Sequence, residues 1–162
     1  MVSPGGPSAP LRLVCFELRA QELPLPIADV RETLPVLPIT RVFLTPPCLA
    51  GVFSLRGDIV PAIDLGILFG LTPTDVTDDS RIIVIDVDGA TIGVIADRLR
   101  DLRTIEDALE APPPSLAPGV ARLLAGILAS ETGTVRVLDA PAIIAAEPLR
   151  VLARGAEEER NA

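Results

Sequence analysis

No histidine and no lysine occurs in this chain of 162 residues, and these absences remove much of the usual catalytic apparatus. Without histidine, no side chain of ordinary pKa changes charge near neutral pH to shuttle protons. Without lysine there is neither a Schiff-base amine nor the lysine of a phosphate-binding loop. All 14 basic residues are arginine. Trp and Tyr are also missing and aromatics make up 2%, so the core has to be built from Leu, Val, Ile and Ala; a hydrophobic fraction of 49% suffices for one. Only two cysteines occur, Cys15 and Cys48, without metal-ligand or CxxC spacing. They read as two buried thiols, with a disulfide between them as the alternative. The glycine patterns of dinucleotide-binding and P-loop sites and the GxSxG nucleophile elbow are absent. No apolar run approaches the roughly 20 residues of a membrane span. Met1–Pro10 lacks the basic start and apolar stretch of a secretory signal, which makes a cytoplasmic location the expectation.

What is present points to many short elements. The 17 prolines and 12 glycines interrupt the apolar segments too often for long helices. The formal net charge of −8 disfavours nucleic acid and anionic membrane surface as partners. Residues 1–10 read as a disordered leader, and residues 149–162 as a frayed tail. Between them, residues 11–148 read as one unit of two halves, about residues 11–72 and 79–148, parted by the polar stretch Thr72–Ser80.

Leu11–Leu18 and Leu23–Pro26 read as strands. Ile27–Leu34 has apolar residues at Ile27, Val30 and Leu34, a spacing that predicts two helical turns. Three hairpins follow: Leu49–Leu65 around Arg56-Gly57-Asp58, Arg81–Ala96 around Asp88-Gly89, and Leu123–Leu138, whose first strand is read from Ala121. Arg98–Thr104 alternates as a half-exposed strand. Glu106–Leu109 is expected to make one helical turn. Asp64 and Asp139 each follow a strand and precede a short helix, as N-caps, with Gly70 closing the first helix. About ten short strands suggest an all-β fold of two small barrels rather than one sandwich. Val14, Phe16, Val52, Ile63, Ile83, Ile85, Val94 and Val137 are the expected core.

The carboxylates offer little chemistry. Asp86 and Asp88 straddle a turn. Asp75, Asp78 and Asp79 lack the glycine and the distal glutamate of a calcium loop and read as a solvated linker. Two cysteines and carboxylates alone are a poor zinc set. No catalytic residue, cofactor or metal is therefore expected. Arg56-Gly57-Asp58 spells an adhesion tripeptide but reads as turn chemistry. Arg56 has two readings that the residues leave open: a turn arginine bonded internally to Asp58 or Asp64, or an anchor for a partner.

The stretch Gly51-Val-Phe-Ser-Leu-Arg-Gly-Asp-Ile-Val-Pro-Ala-Ile-Asp-Leu65 resembles the signature of the CheW family of chemotaxis coupling proteins, with Ser54 where that family usually has Asn. Phe16-Glu-Leu18, Leu23-Pro-Leu-Pro-Ile27, the prolines Pro38, Pro46 and Pro47, Arg81–Asp86, Ile92–Asp97, Gly119-Val120 and Val137–Asp139 agree with it in order over residues 11–147. The resemblance implies two packed five-stranded SH3-like β-barrels and a non-catalytic adaptor. It implies as partners the regulatory domain of a CheA-type histidine kinase and the cytoplasmic hairpin tip of a methyl-accepting chemoreceptor. The helical tip would lie in the groove between barrels, and the protein would reach the membrane receptor array through its partners. Ser54, Arg56, Gly57 and Asp58 are the expected partner-binding residues. The alternatives are a scaffold of the same type for pilus motility or another non-flagellar pathway, and an unrelated small ligand-binding barrel.

Overall fold

The computed structural model describes residues 10–130 and 133–146. The leader and tail expected at residues 1–10 and 149–162 lie, apart from Pro10, outside the described residues. Among the described residues the chain forms ten strands and three short α-helices. In order these are β1 (Leu11–Leu18), β2 (Gln21–Pro26), β3 (Val30–Pro35), β4 (Leu49–Leu55), β5 (Asp58–Asp64), α1 (Leu65–Leu68), β6 (Arg81–Val87) and β7 (Ala90–Ala96). Then come β8 (Arg98–Ile105), α2 (Pro118–Ala121), β9 (Leu124–Ser130), β10 (Gly133–Leu138) and α3 (Ala140–Ile144).

The three hairpins form as expected, except that Pro118–Ala121 makes a helical turn and the ninth strand starts only at Leu124. Two other helical expectations fail. Ile27–Asp29 is a single 3-10 turn, and Val30–Pro35 continues as a strand paired antiparallel with β6. Val30, Glu32 and Leu34 are half-buried and alternate with exposed Arg31, Thr33 and Pro35, so the period is two. Glu106–Leu109 makes no helical turn, because the chain there runs on toward a bridge between Glu110 and Ile127.

The strands make two five-stranded barrels, and the chain weaves between them. One sheet has the order β3-β6-β7-β5-β4. The other strands follow the order β8-β1-β2, with β10 set against β2 and β9 paired to β10. The linker at residues 72–79 therefore does not part the strands into two sequential sets. β1 pairs with β8, β3 pairs with β6, and β5 runs parallel to β7. Each barrel closes through a residue beyond its edge strand. Thr40 exchanges backbone hydrogen bonds of 2.8 Å with Val52 of β4, and Glu110 exchanges bonds of 2.9 and 2.8 Å with Ile127 of β9.

The two barrels repeat each other in sequence as well. Leu49-Ala50-Gly51-Val52 and Leu124-Ala125-Gly126-Ile127 open equivalent hairpins. At the end of each hairpin an aspartate leads into a helix. Asp64 Oδ1 accepts from Ile67 N at 3.3 Å, and Asp139 Oδ1 accepts from Ala142 N at 3.0 Å. At the closing bridge each barrel needs a glycine. A Cβ on Gly51 (φ 153°) would run into the Thr40 carbonyl and sit 2.7 Å from Ile39 Cγ2; one on Gly126 would sit 2.6 Å from Leu109 Cβ.

Burial falls into three clusters. Phe53, Val60, Ala62, Ile82, Val84 and Ile95 fill the first barrel, and Leu13, Cys15 and Val137 fill the second. The largest cluster lies between them and includes Phe16, Leu25, Ile63, Leu65, Ile83, Ile85, Val94 and Leu138. Each such side chain contributes about 1.5–3 kcal/mol when removed from water, so this shared layer binds the barrels into one body. Seven of the eight expected core residues are buried; Val52 is only half-buried, and its neighbour Phe53 points inward instead. Both cysteines are free and buried.

Candidate functional site

The turn of the β4–β5 hairpin has both central residues in the left-handed region, Arg56 at φ 50° and Gly57 at φ 88°. That is the type I′ geometry whose twist matches the strands. A Cβ on Gly57 would meet nothing within 4 Å, so glycine serves the backbone angle here and not a close approach. Ser54, Arg56, Gly57 and Asp58 are all exposed at this tip, with Ser54 paired opposite Ile59, itself 69% exposed.

Arg56 does not bond to Asp58 or Asp64. Its guanidinium grips Glu32 of β3, Nη1 donating to Oε2 at 2.5 Å and Nη2 to Oε1 at 3.0 Å. The hydrogen bonds from Arg56 hold the Glu32 carboxyl below the usual carboxylate range, against a desolvation that works the other way. What this pair adds to folding is present above the ordinary glutamate value and is lost as the pH falls through the lower folded-state value. Asp64 is occupied differently: besides capping α1 it accepts from Thr74 N and Thr74 Oγ1, both at 2.8 Å.

Glu32 also lines a cleft of about 400 Å³ between the barrels. β3 and the turn before it supply Ile27, Val30, Arg31 and Thr33; β1 supplies Val14, and β8 supplies Leu99 through Leu102. Leu99 and Leu102 are 39% and 64% exposed on a strand where Arg98, Arg100, Asp101 and Arg103 surround them. Arg31, Glu32, Arg100 and Asp101 border this apolar strip with both signs of charge. A second apolar feature is the loop after Thr40, where Phe43 and Leu44 are almost fully exposed and Leu44 holds φ 59°. Thr45 Oγ1 donates to the Val42 carbonyl at 2.7 Å and braces this tip. Sequence reading named the hairpin tip and, through the family resemblance, expected a groove between the barrels, but it did not name the residues that line this cleft. Its only local signal was Leu99 and Leu102 set among Arg98, Arg100, Asp101 and Arg103.

One group in the described residues has the makings of a metal site: Cys15, Glu22 and Asp101, whose ligand atoms lie within 4.8 Å of one another. Arg103 Nη2 stands 2.7 Å from Glu22 Oε1, so a guanidinium already serves as the cation. Burial, then a hydrogen bond with Glu22, pushes the Cys15 thiol up to about 12. The stability linked to that protonated thiol is full below its ordinary value of 9.0 and is lost as the pH rises toward about 12. In the folded chain neither cysteine is expected to react with an aromatic disulfide reagent at pH 8, whereas both react in denaturant. Fast labelling of the native protein would contradict the closed barrel around Cys15.

Two closed barrels fused through a common core, with a shallow apolar cleft outside it and an exposed apolar loop, define a small adaptor that presents surfaces. The CheW-like domain family matches residues 12–147. A probable chemotaxis protein CheW from Rhizobium etli is 32% identical over 132 residues, covering 81% of this chain and 85% of that protein. The chemotaxis protein CheW of Bacillus subtilis is 27% identical over 134 residues, covering 82% and 86%. The crystal structure of the scaffolding protein TtCheW from Thermoanaerobacter tengcongensis is similar with a TM-score of 0.73 and 29% identity, over 86% of this chain and 90% of that one. The chain belongs to the CheW-like domain family, and its role is that of a chemotaxis coupling adaptor.

Proposed function

We propose that the chain couples the cytoplasmic tips of chemoreceptors to a CheA-type histidine kinase by contact alone, without catalysing a reaction. The observation that carries this reading is the cleft between the barrels. Its floor is apolar at Val14, Ile27, Val30, Leu99 and Leu102, and its rim carries charges of both signs. An amphipathic helix laid in such a groove buries its apolar face and meets the rim with polar side chains. The receptor tip is the helical partner of that shape. The regulatory domain of the kinase takes the braced Phe43–Leu44 loop, whose two large side chains otherwise stand in water.

The functional unit is residues 11–148 with both barrels present, since walls from each line the cleft. It works in the cytoplasm and reaches the membrane array through its partners. No helix among the described residues is long and apolar enough to cross a membrane. Arg56 matters on this reading because it holds Glu32 at the rim; Ser54, Gly57 and Asp58 form the rest of the tip.

An Arg56→Glu chain is expected to fold with a melting temperature close to that of the parent, because the pair it loses is exposed. It places a second carboxylate beside Glu32 at the cleft. Kinase activation in a reconstituted receptor–kinase array is expected to drop on the order of tenfold, the change made by losing one ordinary interface contact. Full activation by a folded Arg56→Glu protein would remove Arg56 from the coupling surface.

A further inference from the structure

Arg136 is the half-buried arginine for which no hydrogen bond or ion pair is found among the described residues. The other half-buried guanidiniums are occupied: Arg19 by Thr74 and Asp97, Arg81 by the Asp78 and Ser80 carbonyls, and Arg103 by Glu22. Among the described residues, the other arginines without partners are open to water. The Arg136 guanidinium nitrogens are not among the buried polar atoms, so the planar fork keeps its donors open to a ligand anion at the cavity.

Arg136 projects from β10 on the side away from Val135 and Val137, and lines a cavity of about 110 Å³ that shares no lining residue with the cleft of β1, β3 and β8. One water needs roughly 10–15 Å³, so the space admits something larger. Leu23 and Leu124 of one barrel, Phe69 and Leu71 after α1 of the other, and Val120 of α2 make its apolar wall; Gln21 stands beside Arg136 as the other polar side chain.

We propose that this cavity is a site for a small aliphatic monocarboxylate. Arg136 would receive the carboxylate on its planar fork, Gln21 would donate a further hydrogen bond, and the wall would take a stem of a few carbons. Such a ligand would touch both barrels and α2 at once. It would thereby tie the state of the adaptor to a free organic acid, through a surface separate from the cleft.

The test is a titration of the purified full chain with valerate, followed by NMR chemical shifts. Valeramide serves as the neutral counterpart. Valerate is expected to shift resonances of Leu23, Leu124 and Arg136, and valeramide to bind about tenfold more weakly. Arg136→Met keeps an unbranched stem and removes the charge, and Gln21→Glu places a carboxylate at the exposed rim. Each is expected to weaken valerate by about tenfold or more. If Arg136→Met does not fold, Gln21→Glu carries the comparison. Absence of binding, equal binding of acid and amide, or undiminished binding by the folded variants overturns the site.

Discussion

Replacing Ile85 by Asp is expected to unfold the entire chain and not one barrel alone. Ile85 has no exposure and sits in the layer shared by both barrels, among residues such as Phe16, Leu25, Ile63 and Val94. Its strand β6 is buried on both faces, with Ile82 and Val84 in the interior of the first barrel. An aspartate there loses its hydration without gaining a partner, at a cost of several kcal/mol. Against a total stability of about 5–15 kcal/mol, that leaves little of the native population. Circular dichroism and urea denaturation check this. The parent is expected to unfold in one transition and the variant to lack native signal at low denaturant. An unchanged melting temperature would show that Ile85 is not in the shared core, and two separated transitions would show that the barrels are independent.

The second large effect is at Gly51. Gly51→Ala is expected to cost about 3 kcal/mol or more, because the added Cβ collides with backbone that cannot move without breaking the Thr40–Val52 bridge. Gly57→Ala provides the internal comparison. It needs the same unusual sign of φ but has open space around it, so its cost is confined to the backbone angle, about 1 kcal/mol. Denaturant midpoints of the two variants distinguish close approach from turn geometry. Equal losses would mean that barrel closure at Thr40 is not what Gly51 protects.

The local features of the fold were legible because they rest on local chemistry. Asp88-Gly89 and Arg56-Gly57 marked tight turns, and Asp64 and Asp139 marked helix starts through their own side chains. What failed depended on distant residues. Ile27, Val30 and Leu34 fit a helical face as well as a strand edge, and the charged, half-buried Glu32 hid the alternation until β6 paired with it. Val52 and Phe53 are both apolar, so the choice of which faces inward waits on the bridge to Thr40. The interleaving of strands leaves no trace in any short window. The Arg56 turn was legible, but its partner Glu32 lies 24 residues away and the cleft that Glu32 borders needs three separate segments. The repeated Leu-Ala-Gly run went unremarked in the sequence, because only the two closing bridges give it meaning.

The weave of the strands also sets a timetable for synthesis. Strands β3 to β7 are contiguous, so the first barrel has all its pieces once residue 96 has left the ribosome. The hairpin of β1 and β2 emerges before any of these, yet its own sheet waits for β8 through β10. Until then Phe16, Leu18, Leu23 and Leu25 belong to a hairpin without its barrel, and two-stranded ribbons are barely stable by themselves. This early hairpin is therefore among the last elements to be secured, held back by contacts that span most of the described residues. Crowded nascent chains have their window for mispairing here, with one molecule's waiting hairpin offered to another's newly made β8.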